Sequence, residues 1–435
     1  MQGIPIIENP EKTEWAALLA RPVIQAEDLE VPVRGMLSEI KSRGDLAVDG
    51  YAAQFDGIQG VEKLVQPIEF LNAQGKLDTG LKDAIRNAME NILAFHRRQQ
   101  IVEPVVEINN GIWCWRKSVA IEKVGLYIPG GTAPLFSTLL MLGVPAVLAG
   151  CKEIVVCTPP QKDGSVHPAI LYTAQLAGLK KILRIGGVQA IGAMAYGTAT
   201  VPKVYKIFGP GNQWVTQAKK IVQQEGVSID MPAGPSELAV LADETAVPAY
   251  VAADLLSQCE HGEDSQTILV TGQREFADKV NEELEKQVQK LPRRPIAEKA
   301  LQNSRIFVFT DQSASMELLN EYAPEHLILA CKNAESIAGQ VVNAGSVFIG
   351  NFAPESAGDY ASGTNHVLPT NGFAKSYSGV SMDSFVKKIT FQQLSREGLT
   401  GIGDTVVKMA DAEGLRAHAA AIEIRIGPDS KTEKL

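Results

Sequence analysis

The chain has 435 residues, 45% hydrophobic and 21% charged, an ordinary globular composition with room for two or three domains. Its 41 basic and 50 acidic side chains give a formal charge of −9 and a pI near 5.4, which excludes the basic face that nucleic acid or an anionic membrane surface requires. The five cysteines form no CxxC pair, and the N-terminal MQGIPIIENPEKTEW has neither a basic start nor a long apolar run, so reduced thiols and a cytoplasmic location are expected.

The first 100 residues read as mainly helical. LKDAIRNAMENILAFHRRQQ, from Leu81, spaces its apolar residues for a helix with a basic C-terminal end. His96, beside Arg97 and Arg98, is expected at the surface, and Trp113 and Trp115 in core packing. From Ile121 the pattern alternates strand and helix. IEKVGLYIPGG is a strand ending in a Gly-rich turn. The apolar run Pro134–Gly150 is short for a membrane span and broken by Gly143 and Pro145, so it reads as a buried helix. The strands KEIVVCTPP, KKILRIGG and VYKIFGPGN follow, each succeeded by a helix. This is βαβ rhythm, and it implies a parallel sheet. The rhythm restarts at Glu237 with ELAVLADE, then QTILVTG, RIFVFT, HLILAC and GSVFIGNF. The last 60 or so residues read as helical, closing on a small strand at Ile422–Gly427.

The expected fold is therefore α/β, with two parallel-sheet domains and small helical terminal elements. Residues 1–103 with 237–375 form one domain, 104–236 a second, and 376–435 a C-terminal tail.

Four of the six histidines fall in polar, Gly-, Pro- or acid-flanked settings near the C-terminus: SQCEHGEDSQ, YAPEHL, SGTNHVLP and AEGLRAH. With the Asp359 of SAGDYASG they offer the imidazoles and carboxylates that catalytic zinc uses. Each also fits a helix cap or a polar gap. Gln258 and His261, three apart at a helix end, make half a metal site or a polar C-terminal turn. Glu325 and His326, behind Pro324, can share proton transfer if they lie in a turn; otherwise they are a cap and a surface imidazole. Glu413 and His418, five apart, do not share a helix face. Three turns where strands feed helices, at Tyr127–Gly131, Gly186–Gln189 and Gly209–Asn212, suit phosphate groups or are simply tight βα connections. None is GxGxxG or a P-loop.

The blocks VGLYIPGGTAPLFST, IGGVQAIGAMAYG, VYKIFGPGN, DMPAGPSE, DLLSQCEHGEDSQ, EYAPEHL, SAGDYASGTNHVLPT and AEGLRAHAAAIEIR, in this order, resemble the histidinol dehydrogenases over essentially the whole chain. The resemblance implies two incomplete Rossmann-like domains, the 104–236 domain binding NAD, in an intertwined homodimer. It implies zinc held by Gln258, His261, Asp359 and His418, with His418 coming from the partner chain. It makes Glu325 and His326 the acid/base pair. Substrate contacts would be Ser236, His366 and Glu413, along with Gln258, His261, His326, Asp359 and His418. Tyr127, Gln189 and Asn212 would contact NAD. The implied activity is two-step oxidation of L-histidinol to L-histidine, the last step of histidine biosynthesis. A relative oxidising another small alcohol, such as a sulfonated diol, would differ at Ser236, His366 and Glu413. A non-enzymatic scaffold would not need Glu325 and His326.

Overall fold

A computed structural model describes residues 3–22, 26–130, 134–232 and 234–427. The strands, in chain order, are β1 (Ile6–Glu8), β2 (Val106–Asn109), β3 (Ile112–Ala120), β4 (Lys123–Tyr127), β5 (Glu153–Thr158), β6 (Lys181–Arg184), β7 (Lys206–Phe208), β8 (Ser228–Ile229), β9 (Glu237–Ala242), β10 (Gln266–Thr271), β11 (Arg305–Val308), β12 (His326–Ala330), β13 (Ser346–Ile349) and β14 (Val386–Leu394).

The chain divides into two units. Unit 1 comprises residues 1–99 and 121–385; unit 2 comprises 100–120 and 386–435. Unit 1 holds two all-parallel sheets, ordered β6-β5-β4-β7-β8 and β1-β11-β10-β9-β12-β13. Their central strands are near-continuous apolar runs, buried on both faces by the intervening helices. Each sheet has a point where the strand order reverses: between β4 and β7 in the first, between β9 and β12 in the second. Such points leave a crevice between diverging connections.

The apolar run forms the helix Phe136–Ala149, buried continuously from Ser137 to Ala146. Pro145 has no N–H for the Met141 carbonyl four residues earlier. Asn365 Nδ2 supplies the missing donor at 2.6 Å and lies 3.3 Å from His96 Nε2. His96 Nδ1 in turn lies 2.8 Å from the Ile92 carbonyl. His96 is thus wholly buried, not at the surface as its basic neighbours suggested. The helix Thr79–Arg97 turns that one polar position inward, where a partner distant in sequence satisfies it.

Unit 2 is built on an antiparallel sheet, β14-β3-β2, whose long pair runs from Ile112↔Leu394 to Ala120↔Val386. Residues 104–120, expected with 121–236, contribute to this sheet. Trp113 and Trp115 lie half-buried on β3, and Trp115 stacks on Phe391 of β14. The small strand expected at Ile422–Gly427 is instead the end of a helix, Arg416–Ile426. The alternating I-E-I-R-I fits either period, but Ala419–Ala421 just before it favour helix. Ile422 and Ile426, one turn apart, pack over Gly403 of the helix Arg396–Ala412, and Ile424 faces outward.

Among the described residues, no helix is long and apolar enough to cross a membrane.

Candidate active site

The cluster forms at the amino edge of β9 and β12, where the strand order reverses. The helix Gln312–Tyr322 ends on Ala323 in the left-handed conformation, and Pro324 directs the chain into β12. Glu325 therefore lies in the turn and His326 opens the strand. In a regular strand the two side chains would oppose each other. Here His326 Nδ1 lies 3.7 Å from Glu325 Oε2, and both residues are buried.

Glu237, the first residue of β9, holds both. Its N–H donates to Glu325 Oε2 at 2.9 Å, and its carbonyl lies 3.3 Å from His326 Nδ1. The carbonyl can only accept, so Nδ1 carries a proton and Nε2 is the nitrogen that gains or loses one. Nε2 is buried without a hydrogen-bond partner, 3.5 Å from Asp359 Oδ1. The Glu237 carboxylate is itself buried. Arg21 grips it through Nε at 2.5 Å and Nη2 at 2.9 Å, and the Asn371 N–H donates to it at 2.6 Å.

Asp359 and Glu355 lie one turn apart on the helix Glu355–Tyr360 and face the same cluster. Gln258 occupies the last turn of the helix Pro248–Cys259, with His261 in the turn beyond it. The Gln258 amide sits between a donor and an acceptor, and the amide orientation that satisfies both has its oxygen accept the Glu237 N–H at 3.1 Å and its nitrogen donate to Glu355. Donor atoms of His261, Glu355 and Asp359 all lie within 4.8 Å of one another. His366 donates or accepts at two points, with Nδ1 2.8 Å from the Asp359 carbonyl and Nε2 3.1 Å from Thr138 Oγ1.

Charge is unbalanced in this cluster. Burial pushes the Glu325 carboxyl up to about 8. Burial opposes protonation of His326, but the carboxylates of Glu355, Glu325 and Asp359 outweigh it and raise the imidazole to about 10. His261 has 46% of its side chain open to solvent. Desolvation by the protein groups packed around it nevertheless holds it below the ordinary histidine value. Asp359 stays below the usual carboxylate range: burial raises it, but the three surrounding histidines win. Burial raises the Glu355 carboxyl well above its usual range too, so the site crowds together more carboxyl groups than it can keep ionised, an arrangement that suits a divalent metal.

The three strand-to-helix turns lie at carboxyl ends of the other sheet. Tyr127, buried at the end of β4, accepts the Gly187 N–H at 3.1 Å. Gln189, one turn into the helix Gly187–Tyr196, reaches toward Asp56 Oδ2 at 3.4 Å. Asn212 caps the helix Gln213–Gln224 by accepting the Val215 N–H at 3.1 Å. Gly131, the last residue of the first turn, lies outside the described residues. At the β4–β7 reversal, a cavity of about 90 Å³ joins Gly209 and Pro210 of the third turn to Ser236, Glu325 and His366. The Gly-rich turn and Glu325, one of the two acid/base candidates, thus share one space. Glu413 and His418 belong to unit 2, where both are exposed: Glu413 ends the helix Arg396–Ala412 and His418 lies near the start of the next.

Comparison with known proteins accords with this chemistry. The family model for histidinol dehydrogenase matches residues 19–426. A histidinol dehydrogenase of Bacteroides thetaiotaomicron is 55% identical, the match covering 97% of this chain and 98% of that one. The chain belongs to the histidinol dehydrogenase family. A chloroplastic histidinol dehydrogenase of Arabidopsis thaliana is 51% identical over 94% of this chain and 88% of its own. The crystal structure of histidinol dehydrogenase from Elizabethkingia anophelis superposes with a TM-score of 0.95 at 51% identity, covering 97% and 98% of the two chains. As a histidinol dehydrogenase family member the chain is an oxidoreductase, in a family that uses NAD.

Sequence reasoning missed three groups in this site. Glu355 had a signal: ESAGD places it four residues before Asp359, on the same helical face. Glu237 and Arg21 had none, because a buried ion pair spanning 216 residues leaves no local pattern.

Proposed function

We propose that this protein oxidises L-histidinol to L-histidine through L-histidinal, in two successive NAD-dependent steps that close histidine biosynthesis in the cytoplasm. The observation that carries the reading is the shared cavity, which places a Gly-rich turn of one sheet against Glu325, Ser236 and His366 of the other.

His326 Nε2 removes the hydroxyl proton in the first step, its tautomer set by the Glu237 carbonyl. Tyr127, Gln189 and Asn212 would hold NAD, which would supply the hydride acceptor for both steps. In the second step a water adds to the aldehyde, and Glu325 takes its proton. Ser236, His366 and Glu413 orient the substrate around that carbon.

The residues present fit zinc: an imidazole held below its ordinary pKa and the carboxyl groups of Asp359 and Glu355 bring donor atoms within 4.8 Å of one another, with the Gln258 amide beside Glu355. Zinc held by Gln258, His261, Asp359 and His418 would fix the substrate through its imidazole and amine nitrogens. With a divalent cation balancing the carboxylates, His326 is free to be the neutral base. We further propose a homodimer in which a second copy supplies His418 and Glu413. Support comes from their place in unit 2, on an exposed helical tail, while unit 1 carries the other donors.

One assay tests the reading: NADH formed per histidinol consumed, with and without a chelator. The expected result is two NADH per histidinol, with loss of turnover on chelation and recovery with zinc. No NADH from histidinol, or one NADH with accumulating aldehyde, would overturn it.

A further inference from the structure

Lys219 and Asp230 form an ion pair inside unit 1, with side chains 4% and 0% exposed. Such a pair is costly to bury and is weak evidence for stability in itself. Its surroundings are specific. Lys219 Nζ donates to the Gly209 carbonyl at 2.9 Å, and Asp230 Oδ2 accepts the Gly209 N–H at 2.7 Å. Both main-chain polar groups of a single glycine are held by opposite charges. Asp230 Oδ1 also accepts the Met231 N–H at 2.8 Å, which anchors the pair to the segment leading to Ser236.

Gly209 is where the ends of β7 and β4 meet. Its φ is +127°, and a Cβ there would stand 2.0 Å from the Tyr127 carbonyl oxygen. No other residue fits. Asn212 ties the far end of the turn to the helix through its side chain, but Gly209 has no side chain, so its two backbone groups are the handles at the near end. The ion pair takes both. Lys219 and Asp230 also line the cavity shared with Glu325 and His366.

We propose that Lys219 and Asp230 are positioning residues that clamp the 209–212 turn against the end of β4, and so set the affinity for NAD rather than for the alcohol. Charge-assisted hydrogen bonds from a buried pair hold a glycine turn more rigidly than neutral ones. The clamp lets the backbone meet the dinucleotide without reordering, which lowers the cost of binding. This rests on the reading of that turn as part of the cofactor site.

The test compares variants by NADH fluorescence titration, KM for each substrate, zinc content and melting temperature. Lys219→Met alone strands a buried carboxylate and lowers stability. The double change Lys219→Met/Asp230→Asn removes both charges and retains an acceptor for the Gly209 N–H. It is expected to keep the parent's melting temperature, zinc content and KM for histidinol. Its NADH Kd and NAD KM should rise about tenfold, the effect of losing one charge-assisted hydrogen bond. A folded double variant with unchanged NADH Kd overturns the proposal. Should that variant not fold, Asp230→Asn decides in its place, because it keeps Lys219 for the Gly209 carbonyl and an acceptor for the Gly209 N–H. It should weaken NADH severalfold, and no weakening overturns the proposal. Gly209→Ala separates the two levels. If it too leaves NADH binding intact, the turn is not a cofactor site; if it alone weakens binding, only the clamp is wrong.

Discussion

The main-chain N–H of Glu237 donates to Glu325 Oε2 at 2.9 Å, so that the edge of one strand fixes the carboxylate beside the first residue of its neighbour. The same residue's carbonyl faces His326 Nδ1. One peptide on each side of Glu237 therefore sets two side chains with distinct tasks. His326→Asn should depress both oxidations, since each needs a base near the reacting carbon. Glu325→Gln retains an acceptor for the Glu237 N–H and so keeps its place. It should depress aldehyde oxidation more than alcohol oxidation, by roughly 10²–10⁴-fold against a smaller loss, the usual weight of a general base. Stopped-flow assays of histidinol and histidinal oxidation run separately decide this. Equal losses in Glu325→Gln would remove the division of labour.

Loss of a metal donor should be read in metal first. His261→Ala is expected to lower both zinc content and turnover by about 10–100-fold or more. Elemental analysis of dialysed protein, beside activity with added zinc, measures it. Full zinc and full turnover in the variant would exclude His261 as a ligand.

Burial holds the His96 imidazole below its ordinary pKa, and its neighbours suit only the neutral ring: a carbonyl at Nδ1 and an amide N–H at Nε2. The native state therefore binds this proton less readily than the unfolded chain does. The stabilising effect is present above the unfolded pKa, about 6.5, and is lost as pH falls from there toward the folded value, at up to about 1.4 kcal/mol per pH unit. His96→Gln should be less stable at pH 8 yet show a flatter decline between about pH 6.5 and 5. Denaturant titrations at several pH values check the two slopes. Parallel curves would mean that His96 does not titrate on unfolding.

A shared site can be counted. One chain carrying His261→Ala and another carrying His418→Ala each form a homodimer without an intact site. In a mixed dimer with sites made across chains, one site collects both changes and the other has every natural donor. About half of normal activity per dimer should return, as two-fold pairing requires. Co-expression with two affinity tags, followed by assay of the doubly purified species, provides the measurement. No recovery in a verified mixed dimer would place His418 within its own chain's site or outside the site.

Much of this architecture was legible in the sequence. The βαβ rhythm gave both parallel sheets, because strands buried on both faces need continuous apolar runs. Gln258, His261 and Asp359, which the fold brings into one cluster with Glu355, lay in motifs short enough to read locally. What escaped was set by partners far along the chain. His96 follows helical spacing and sits beside two arginines, so nothing local reveals that Asn365 waits for it inside. Pro145 marked a missing N–H inside the buried helix, but not that the freed Met141 carbonyl would anchor the segment leading into His366. Ile422–Ile426 satisfied two periodicities at once, and only the packing over Gly403 selects one.

The pairing of β3 with β14 has a consequence for how the chain is made. Lys388 and Ser118, which meet across that ladder at 2.8 Å, are 270 residues apart in sequence. At ordinary translation speeds the ribosome exposes β3 on the order of tens of seconds before its partner emerges. During that interval Val106 and Ile108 of β2, exposed even in the finished fold, sit on a hairpin with an open edge. Unit 2 is thus the last part of the chain to assemble, and a nascent hairpin of this kind is where a chaperone, or another unfinished copy, would first take hold.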